Sequence, residues 1–430
     1  MPQIENSLHD KKSTIALLTC VILSFELLDP AVSYLIFVFL ILFTKYNVLN
    51  NFRDCISIIW PLVACIIFGV IISLSEAALT FNSVKGFYYE SRPVLIFVIA
   101  YAMGRYIVDL RSIFVVFYLS SIILSVVYIL NYYLTGDAAY MTRFDLRSVV
   151  GAGYLTVGIG ISLGIFELLR GRFSRLSVVT VLLGAVCVGL SDSRTAMLII
   201  IIYTIIFYLP ALMNPLAAVL TTAIIFIVTT PAITLFVDEG TLVSLIYEFP
   251  SSLSELIAVM RYTDFEIHTG WRGYETYQAF EFMRDQNIFN RIFGTGLHTE
   301  VPLGFYIILG GDDMNSIPIF HNGFSFVFVR AGYLGILLYI YQMYLFSKAA
   351  TGYGLTRLND SRYFKYFIFA GVFSLIIITP LIGGVYSTSG SSILFLIAFF
   401  IGSMRARSRE RALPSDQFHT PELQRVRPAG

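Results

Sequence analysis

Long apolar runs separated by short polar connections dominate this sequence, and they constrain the fold more than any other feature. A helix needs about 20 apolar residues to cross the hydrocarbon core of a bilayer. Only 13% of the 430 residues are charged and 57% are hydrophobic, whereas a soluble domain carries roughly 25% charged residues. So few charges cannot cover a water-facing surface, and the sequence therefore predicts a membrane protein.

Twelve apolar runs are expected to be transmembrane helices, because backbone groups in lipid find partners only within a helix. The fold class predicted is therefore an all-α polytopic membrane protein. The first run passes through Glu26 into the second without a small-residue cleavage site, so we interpret it as an uncleaved first span. The runs are 14–28, 31–44, 56–74, 93–109, 112–134, 148–168, 174–190, 194–210, 215–236, 319–347, 362–382 and 390–404.

The distribution of basic residues predicts the orientation of these spans. With a cytoplasmic N-terminus, most lysines and arginines fall in cytoplasmic connections, from Lys11 and Lys12 to the arginine-rich stretch after Met404. This is the bias of the positive-inside rule, and it puts both termini in the cytoplasm. The short outer loops then carry only Lys85, Arg92, Arg143, Arg147 and Arg194.

One long outer segment interrupts the succession of spans and divides the chain. Residues 1–236 hold the first nine spans, 237–318 form the long segment, and 319–404 hold the last three. The long segment has its own helical candidates at 241–262 and 271–288, so we expect a small folded helical cap, and loops of this length are usually functional. The polar tail 405–430 is expected to be a disordered cytoplasmic extension.

Composition argues against several classes of function. The net charge of +1 gives no general electrostatic reason to bind nucleic acid. The four cysteines lie in or beside apolar runs without CxxC spacing, which indicates small core residues rather than a metal site. Asp312 and Asp313 follow two glycines and are interpreted as solvated loop acids, so no metal is expected.

His321 is the first candidate for chemistry, since it lies where the long segment enters the tenth span. A histidine at a membrane edge can exchange a proton near neutral pH and suits a general base. The alternative is a histidine that only makes an interfacial hydrogen bond. Asn322 follows it directly, and Gly332 and Gly335 lie further along the same span.

Two arginines are candidates for binding an anion at the same membrane face. Arg194 follows Ser193 at an outer turn, and an arginine near hydrocarbon must be paired or solvated. Arg272 follows Trp271 in the long segment, where an ion pair with Glu275 three residues later is the structural alternative. The planar guanidinium grips phosphate through two parallel hydrogen bonds, which is the functional interpretation of both.

Three further features complete the pattern. Arg143 and Arg147 crowd another outer loop and could support the site through positive potential, although a solvated loop is the simpler interpretation. Gly294 and Gly296 are expected to adopt positive φ and to permit a close backbone approach. Arg330 lies out of phase with His321 on the tenth span, so it should pair with a carboxylate or a solvated crevice elsewhere.

Three motifs in order, all on one predicted membrane face, resemble the O-antigen ligase and O-antigen polymerase superfamily of bacterial envelope proteins. They are Ser193-Arg194 at an outer turn, Trp271-Arg272 followed by a helix and Gly294-Thr295-Gly296, and His321-Asn322 followed by Gly332-Tyr333-Leu334-Gly335. The predicted topology is similar over nearly the whole chain except the tail. Any one motif would be a weak signal.

The resemblance implies a GT-C-like fold of about 12 transmembrane helices in the bacterial inner membrane, with a periplasmic cap and active site. It implies an inverting, metal-independent glycosyl transfer that needs no cofactor and uses an undecaprenyl-diphosphate-linked oligosaccharide as donor. Arg194 and Arg272 would bind the diphosphate and His321 would be the general base, with Asn322, Ser193, Arg143 and Arg147 in support. Membrane lipid and a polysaccharide chain-length regulator are the other candidate partners, and no nucleic acid is expected.

Within the superfamily we favour a polymerase that joins lipid-linked repeat units of a surface polysaccharide. The run Ile317-Pro318-Ile319-Phe320 before His321 is more similar to polymerases than to ligases. A ligase that transfers glycan to lipid A-core remains the alternative. A lipid-linked sugar flippase is a third hypothesis, disfavoured because transporters usually show repeats and polar residues near the bilayer midplane.

Overall fold

The chain is described here from a computed structural model. The described residues are 2–28, 30–43, 48–75, 80–106, 110–134, 153–172, 174–191, 193–208, 267, 270–309, 312–317, 319–351, 359–388 and 390–412. All structural statements below refer to these residues. The predicted ninth run, 215–236, and the helical candidate 241–262 lie outside them.

Helices account for most of the described chain, as the apolar runs predict. Eleven of the twelve predicted runs fall on a described helix. Before the long segment these helices are α1 (Pro2–Leu27), α2 (Pro30–Phe43), α3 (Val48–Ser75), α4 (Phe81–Tyr106), α5 (Leu110–Leu134), α6 (Tyr154–Leu169), α7 (Arg175–Ser191) and α8 (Arg194–Tyr208). After it they are α11 (Gly323–Thr351), α12 (Asn359–Ile382) and α13 (Ser391–Ala412).

The length and composition of these helices are those of a membrane protein. Within the described residues, five helical stretches are long and apolar enough to cross a bilayer: Phe52–Ser75, Arg111–Leu134, Gly323–Thr351, Tyr363–Ile382 and Ser391–Ser408. Three shorter helices, α6, α7 and α8, are also apolar. The chain is therefore a helical membrane protein.

A close helix crossing joins α4 to α13. Gly104 of α4 and Gly402 of α13 leave no room for a side chain, since a Cβ at either would overlap a backbone carbonyl of the opposite helix. The Ser403 hydroxyl donates to the Gly104 carbonyl at 2.9 Å. Small residues that let two backbones meet are a common means of packing helices in lipid.

A buried polar cluster connects four helices further toward the N-terminal ends of α4 and α13, away from the glycine crossing. Glu26 of α1 accepts hydrogen bonds from Thr156 of α6 at 2.6 Å and from Ser392 of α13 at 2.9 Å. The neighbouring Ser391 accepts from Arg92 of α4 at 2.9 Å. Buried polar groups are costly in lipid unless they are satisfied, and these contacts satisfy one oxygen of Glu26 and one nitrogen of Arg92 across the helix interfaces.

The long segment contains both helices and strands. Its described part holds α9 (Trp271–Asp285), α10 (Ile288–Phe293), β1 (Val301–Leu309) and β2 (Asp312–Ile317). The strands pair antiparallel, with Val301 opposite Ile317 and Leu309 opposite Asp312. The expectation of a purely helical segment is therefore incomplete, because the hydroxyl, amide and carboxyl side chains of β2 obscure its strand pattern. Asp312 and Asp313 belong to this hairpin rather than to a loop.

The last helix extends further than the sequence indicates. α13 continues to Ala412, eight residues into the predicted tail 405–430. Arg405, the first residue of this extension, is packed: its guanidinium donates to the Asp54 backbone carbonyl and, at 3.1 Å, to the Tyr101 hydroxyl. Arg105 forms an ion pair with the Asp54 carboxylate at 2.5 Å beside it. The arginine-rich stretch thus begins as a packed helix end.

Replacing Gly402 with Ala should destabilise the fold by about 1–3 kcal/mol, since overpacking a tight contact forces backbone shifts. Gly189 of α7 is the matched control, because a Cβ there would meet no atom within 4 Å. The measurement is the thermal unfolding midpoint in detergent. The midpoint of Gly402→Ala should fall well below that of Gly189→Ala, and equal midpoints would contradict the close crossing.

Candidate functional site

His321 and Asn322 lie at the start of α11, where the chain leaves the hairpin for the long helix. The Asn322 side chain caps this helix, accepting hydrogen bonds from the backbone N–H of Phe324 at 2.9 Å and of Ser325 at 3.4 Å. Its amide nitrogen donates to the Thr276 hydroxyl of α9 at 3.0 Å. The contacts of Asn322 are therefore structural: they begin α11 and attach it to α9.

Glu275 of α9 holds His321 through two hydrogen bonds. One carboxylate oxygen accepts from the His321 backbone N–H at 3.0 Å, and the other lies 3.0 Å from Nδ1 of the imidazole. Trp271 donates its indole N–H to that second oxygen at 2.7 Å. The Glu275 side chain is 2% exposed, whereas the His321 side chain is 56% exposed. The imidazole thus has one edge on a buried carboxylate and the rest toward the exterior.

Arg272 contributes a positive charge to the surroundings of His321. It lies one helical turn before Glu275 on α9 and acts electrostatically on His321. The hydrogen bond to Glu275 raises the pKa of His321 above its ordinary value, and the Glu275 charge adds to this effect. Partial burial of the ring and the Arg272 charge both lower that pKa. The balance favours an imidazole that binds a proton more tightly than a free histidine.

The Gly294-Thr295-Gly296 segment packs against a kink in α11. Gly294 and Gly296 have φ of 89° and 85°, which confirms the expected positive φ. Thr295 donates from both its backbone N–H and its hydroxyl to the Val329 carbonyl, at 2.9 and 2.8 Å. Gly332 interrupts the helical backbone with φ of 65°, and a Cβ there would overlap the Ile292 carbonyl. Glycines on both sides thus permit this contact.

Arg330 lies inside the bundle beneath this segment and does not belong to the His321 site. Its guanidinium is 3.8 Å from the Glu90 carboxylate of α4, and both side chains are buried. It also stacks over the Phe326 ring at 4.5 Å from the ring centre. This arrangement is the one expected from its position on the span: Arg330 pairs with a carboxylate away from His321.

The structure brings together some of the predicted site residues and leaves others outside the described part. His321 and Asn322 lie at the junction of α9 and α11, and the charge of Arg272 acts on His321 from α9. Ser193 is an N-cap, since its hydroxyl accepts from the Ala196 N–H at 3.3 Å at the start of α8. Arg194 is the first residue of α8, but its side chain lies outside the described part, as do Arg143 and Arg147.

Glu275 is the site residue that sequence reasoning missed. Its proximity to Arg272 suggested a surface ion pair, yet Glu275 is buried and receives hydrogen bonds from Trp271 and His321 instead. A signal was present in the sequence: Trp271 lies four residues before Glu275, so both share one helix face. A glutamate on the face that carries a tryptophan is a candidate for a buried acceptor.

The sequence matches no known protein-family model and no curated protein. A half-exposed imidazole that is held by a buried carboxylate and acted on by the charge of an arginine can accept a proton near a bound anion.

Replacing Gly294 with Ala should lower the thermal unfolding midpoint more than the same change at Gly304. Both glycines have positive φ, 89° and 82°, so each alanine carries a similar backbone strain of about 1 kcal/mol. Only at Gly294 would the new Cβ overlap the Arg330 carbonyl, while at Gly304 it would meet no atom within 4 Å. The unfolding midpoint of Gly294→Ala should be the lower of the two, and the reverse order would exclude the close contact.

Proposed function

We propose that this protein is a polysaccharide polymerase, a glycosyltransferase that joins lipid-linked oligosaccharide repeat units at the periplasmic membrane face. The observation that carries the proposal is the hydrogen-bonded pair of His321 and Glu275 at the start of a long apolar helix, with Arg272 on the same helix as Glu275. A base and an anion-binding group at the end of a membrane helix suit a donor that carries both a lipid tail and a diphosphate.

In the proposed reaction, Arg272 binds the diphosphate of the donor, together with Arg194 at the start of α8. His321 takes the proton from the attacking hydroxyl of the acceptor sugar. The hydroxyl oxygen forms a bond to the anomeric carbon, and the bond from that carbon to the diphosphate oxygen breaks. The electron pair leaves with the diphosphate, where positive charge stabilises it. In-line displacement of this kind inverts the anomeric carbon.

We also propose a more detailed architecture for this helical membrane protein. It has twelve spans in the bacterial inner membrane, both termini in the cytoplasm, and a periplasmic cap over residues 237–318 between the ninth and tenth spans. This orientation places most lysines and arginines in cytoplasmic connections, and that bias supports the architecture. The described part of the long segment supports the proposal of a cap, since residues of α9 hydrogen-bond to residues at the start of α11.

A deletion strain separates the polymerase from the two alternatives. Loss of a polymerase leaves a single repeat unit attached to the lipid A-core, whereas loss of a ligase leaves bare core. The flippase alternative is tested with purified protein in detergent, in the presence of a chelator. A polymerase should lengthen a lipid-linked oligosaccharide under these conditions, whereas a flippase should not. A full-length glycan in the deletion strain would end the proposal.

Replacing His321 with Ala should lower the rate of chain extension by about 10²-fold or more, the loss expected when a general base is removed. The matched control is His419→Ala, which changes a histidine in the C-terminal tail far along the chain from every candidate residue. Extension of lipid-linked oligosaccharide is measured with purified proteins of equal unfolding midpoint. Full activity of His321→Ala would exclude His321 as the base.

Replacing Arg272 with Ala should raise the KM for the lipid diphosphate donor, because one charge-assisted contact to phosphate is lost. Arg284→Ala is the control on the same helix, since Arg284 is exposed and pairs with Glu281. Donor titrations with both variants give the result. Equal KM values for the two variants would remove Arg272 from the donor site.

A further inference from the structure

We infer that Glu275 is the positioning residue of His321: its carboxylate fixes the imidazole with the proton on Nδ1 and leaves Nε2 as the accepting nitrogen. The inference rests on the proposed function, because it explains how His321 becomes a base in that reaction. It adds a residue for which the sequence motifs give no role.

The hydrogen bonds of Glu275 determine which imidazole nitrogen carries the proton. An ionised carboxylate only accepts hydrogen bonds, and a buried one is costly unless donors surround it. Glu275 has three such contacts, from the Trp271 indole, the His321 backbone N–H and His321 Nδ1. The first two are donors by their chemistry, so the third contact is favourable only when Nδ1 also carries a proton.

The difference in exposure between the two side chains indicates which edge of the imidazole is accessible. Glu275 is 2% exposed and His321 is 56% exposed, so the Nδ1 edge is anchored and the Nε2 edge is the one that solvent or an acceptor hydroxyl reaches. The buried carboxylate would also stabilise the imidazolium that forms after proton transfer. A general base benefits from both effects, a fixed tautomer and a stabilised conjugate acid.

In the part of the chain that the structure describes, few charged groups act on this imidazole, which makes the role of Glu275 testable. Among the described residues, the charges that affect the pKa of His321 are those of Glu275 and Arg272, both from α9. Neither residues 323–329 of α11 nor the turn Gly384–Tyr386 beside His321 contain an acidic or basic side chain. Removing the Glu275 charge should therefore lower the pKa of His321.

The first test reads His321 directly and needs no glycan. Diethyl pyrocarbonate acylates neutral imidazole, so the pH dependence of His321 acylation, followed by mass spectrometry, reports its protonation. The midpoint should fall by about one pH unit in Glu275→Gln and stay nearer the native value in Glu275→Asp. Glu281→Gln, on the same helix, is the control and should leave the midpoint unchanged. An unchanged midpoint in folded Glu275→Gln would overturn the inference.

A second test uses the native protein and is independent of whether any variant folds. ¹⁵N spectra of histidine-labelled protein distinguish the two neutral tautomers, and the His321 signals are assigned by their absence from His321→Ala. Above the midpoint the inference requires the proton on Nδ1. A neutral His321 protonated on Nε2 would overturn it.

Activity links the positioning role to the proposed reaction. Glu275→Gln should lower kcat for chain extension by about 10²-fold with little change in the KM for the donor, and Glu275→Asp should recover part of it. A native protein that shows the expected tautomer and midpoint but no chain extension would reject the proposed function while keeping the His321–Glu275 pair. Normal kcat in Glu275→Gln, with chain extension intact, would reject the positioning role alone.

Discussion

The buried carboxylate of Glu275 is the contact on which the arrangement of the site depends. A carboxylate removed from water must collect donors, and Glu275 finds two of its three on His321. The residues that follow Glu275 and His321 make a similar contact, since the Thr276 hydroxyl accepts a hydrogen bond from the Asn322 side chain. Two consecutive residues of α9 thus hold two consecutive residues at the start of α11. A shift of α9 along or around its axis would break both contacts together.

A second attachment keeps the long segment from rotating about the first. The Gly294-Thr295-Gly296 segment hydrogen-bonds to the carbonyls of Val329 and Arg330, at the kink of α11. This point lies about 10 Å along the helix from its start. The described segment between α9 and this turn is therefore attached to α11 at two separated places. The backbone of α9, including that of Arg272, is consequently held in a defined position relative to His321.

Sequence patterns predicted the parts of this structure that depend on composition and on glycine. Apolar runs located eleven described helices, because any helix in lipid must be apolar over its length. Gly294 and Gly296 were predictable because few other residues adopt positive φ. The hairpin Val301–Ile317 was not predictable, since its polar second strand lacks a simple alternation. The role of Glu275 was missed for a different reason: its partner lies 46 residues away along the chain.

Within the proposed function, the opposite charges of Arg272 and Glu275 make the basicity of His321 depend on whether the donor is bound. On one helix, Glu275 favours the protonated imidazole and Arg272 disfavours it. Within the proposed function, a diphosphate bound at Arg272 offsets the positive charge of the guanidinium. The unfavourable effect of Arg272 on the imidazolium then weakens while that of the buried carboxylate persists. His321 would therefore be a stronger base when the donor is bound than when the site is empty, which favours proton transfer in the presence of the leaving group.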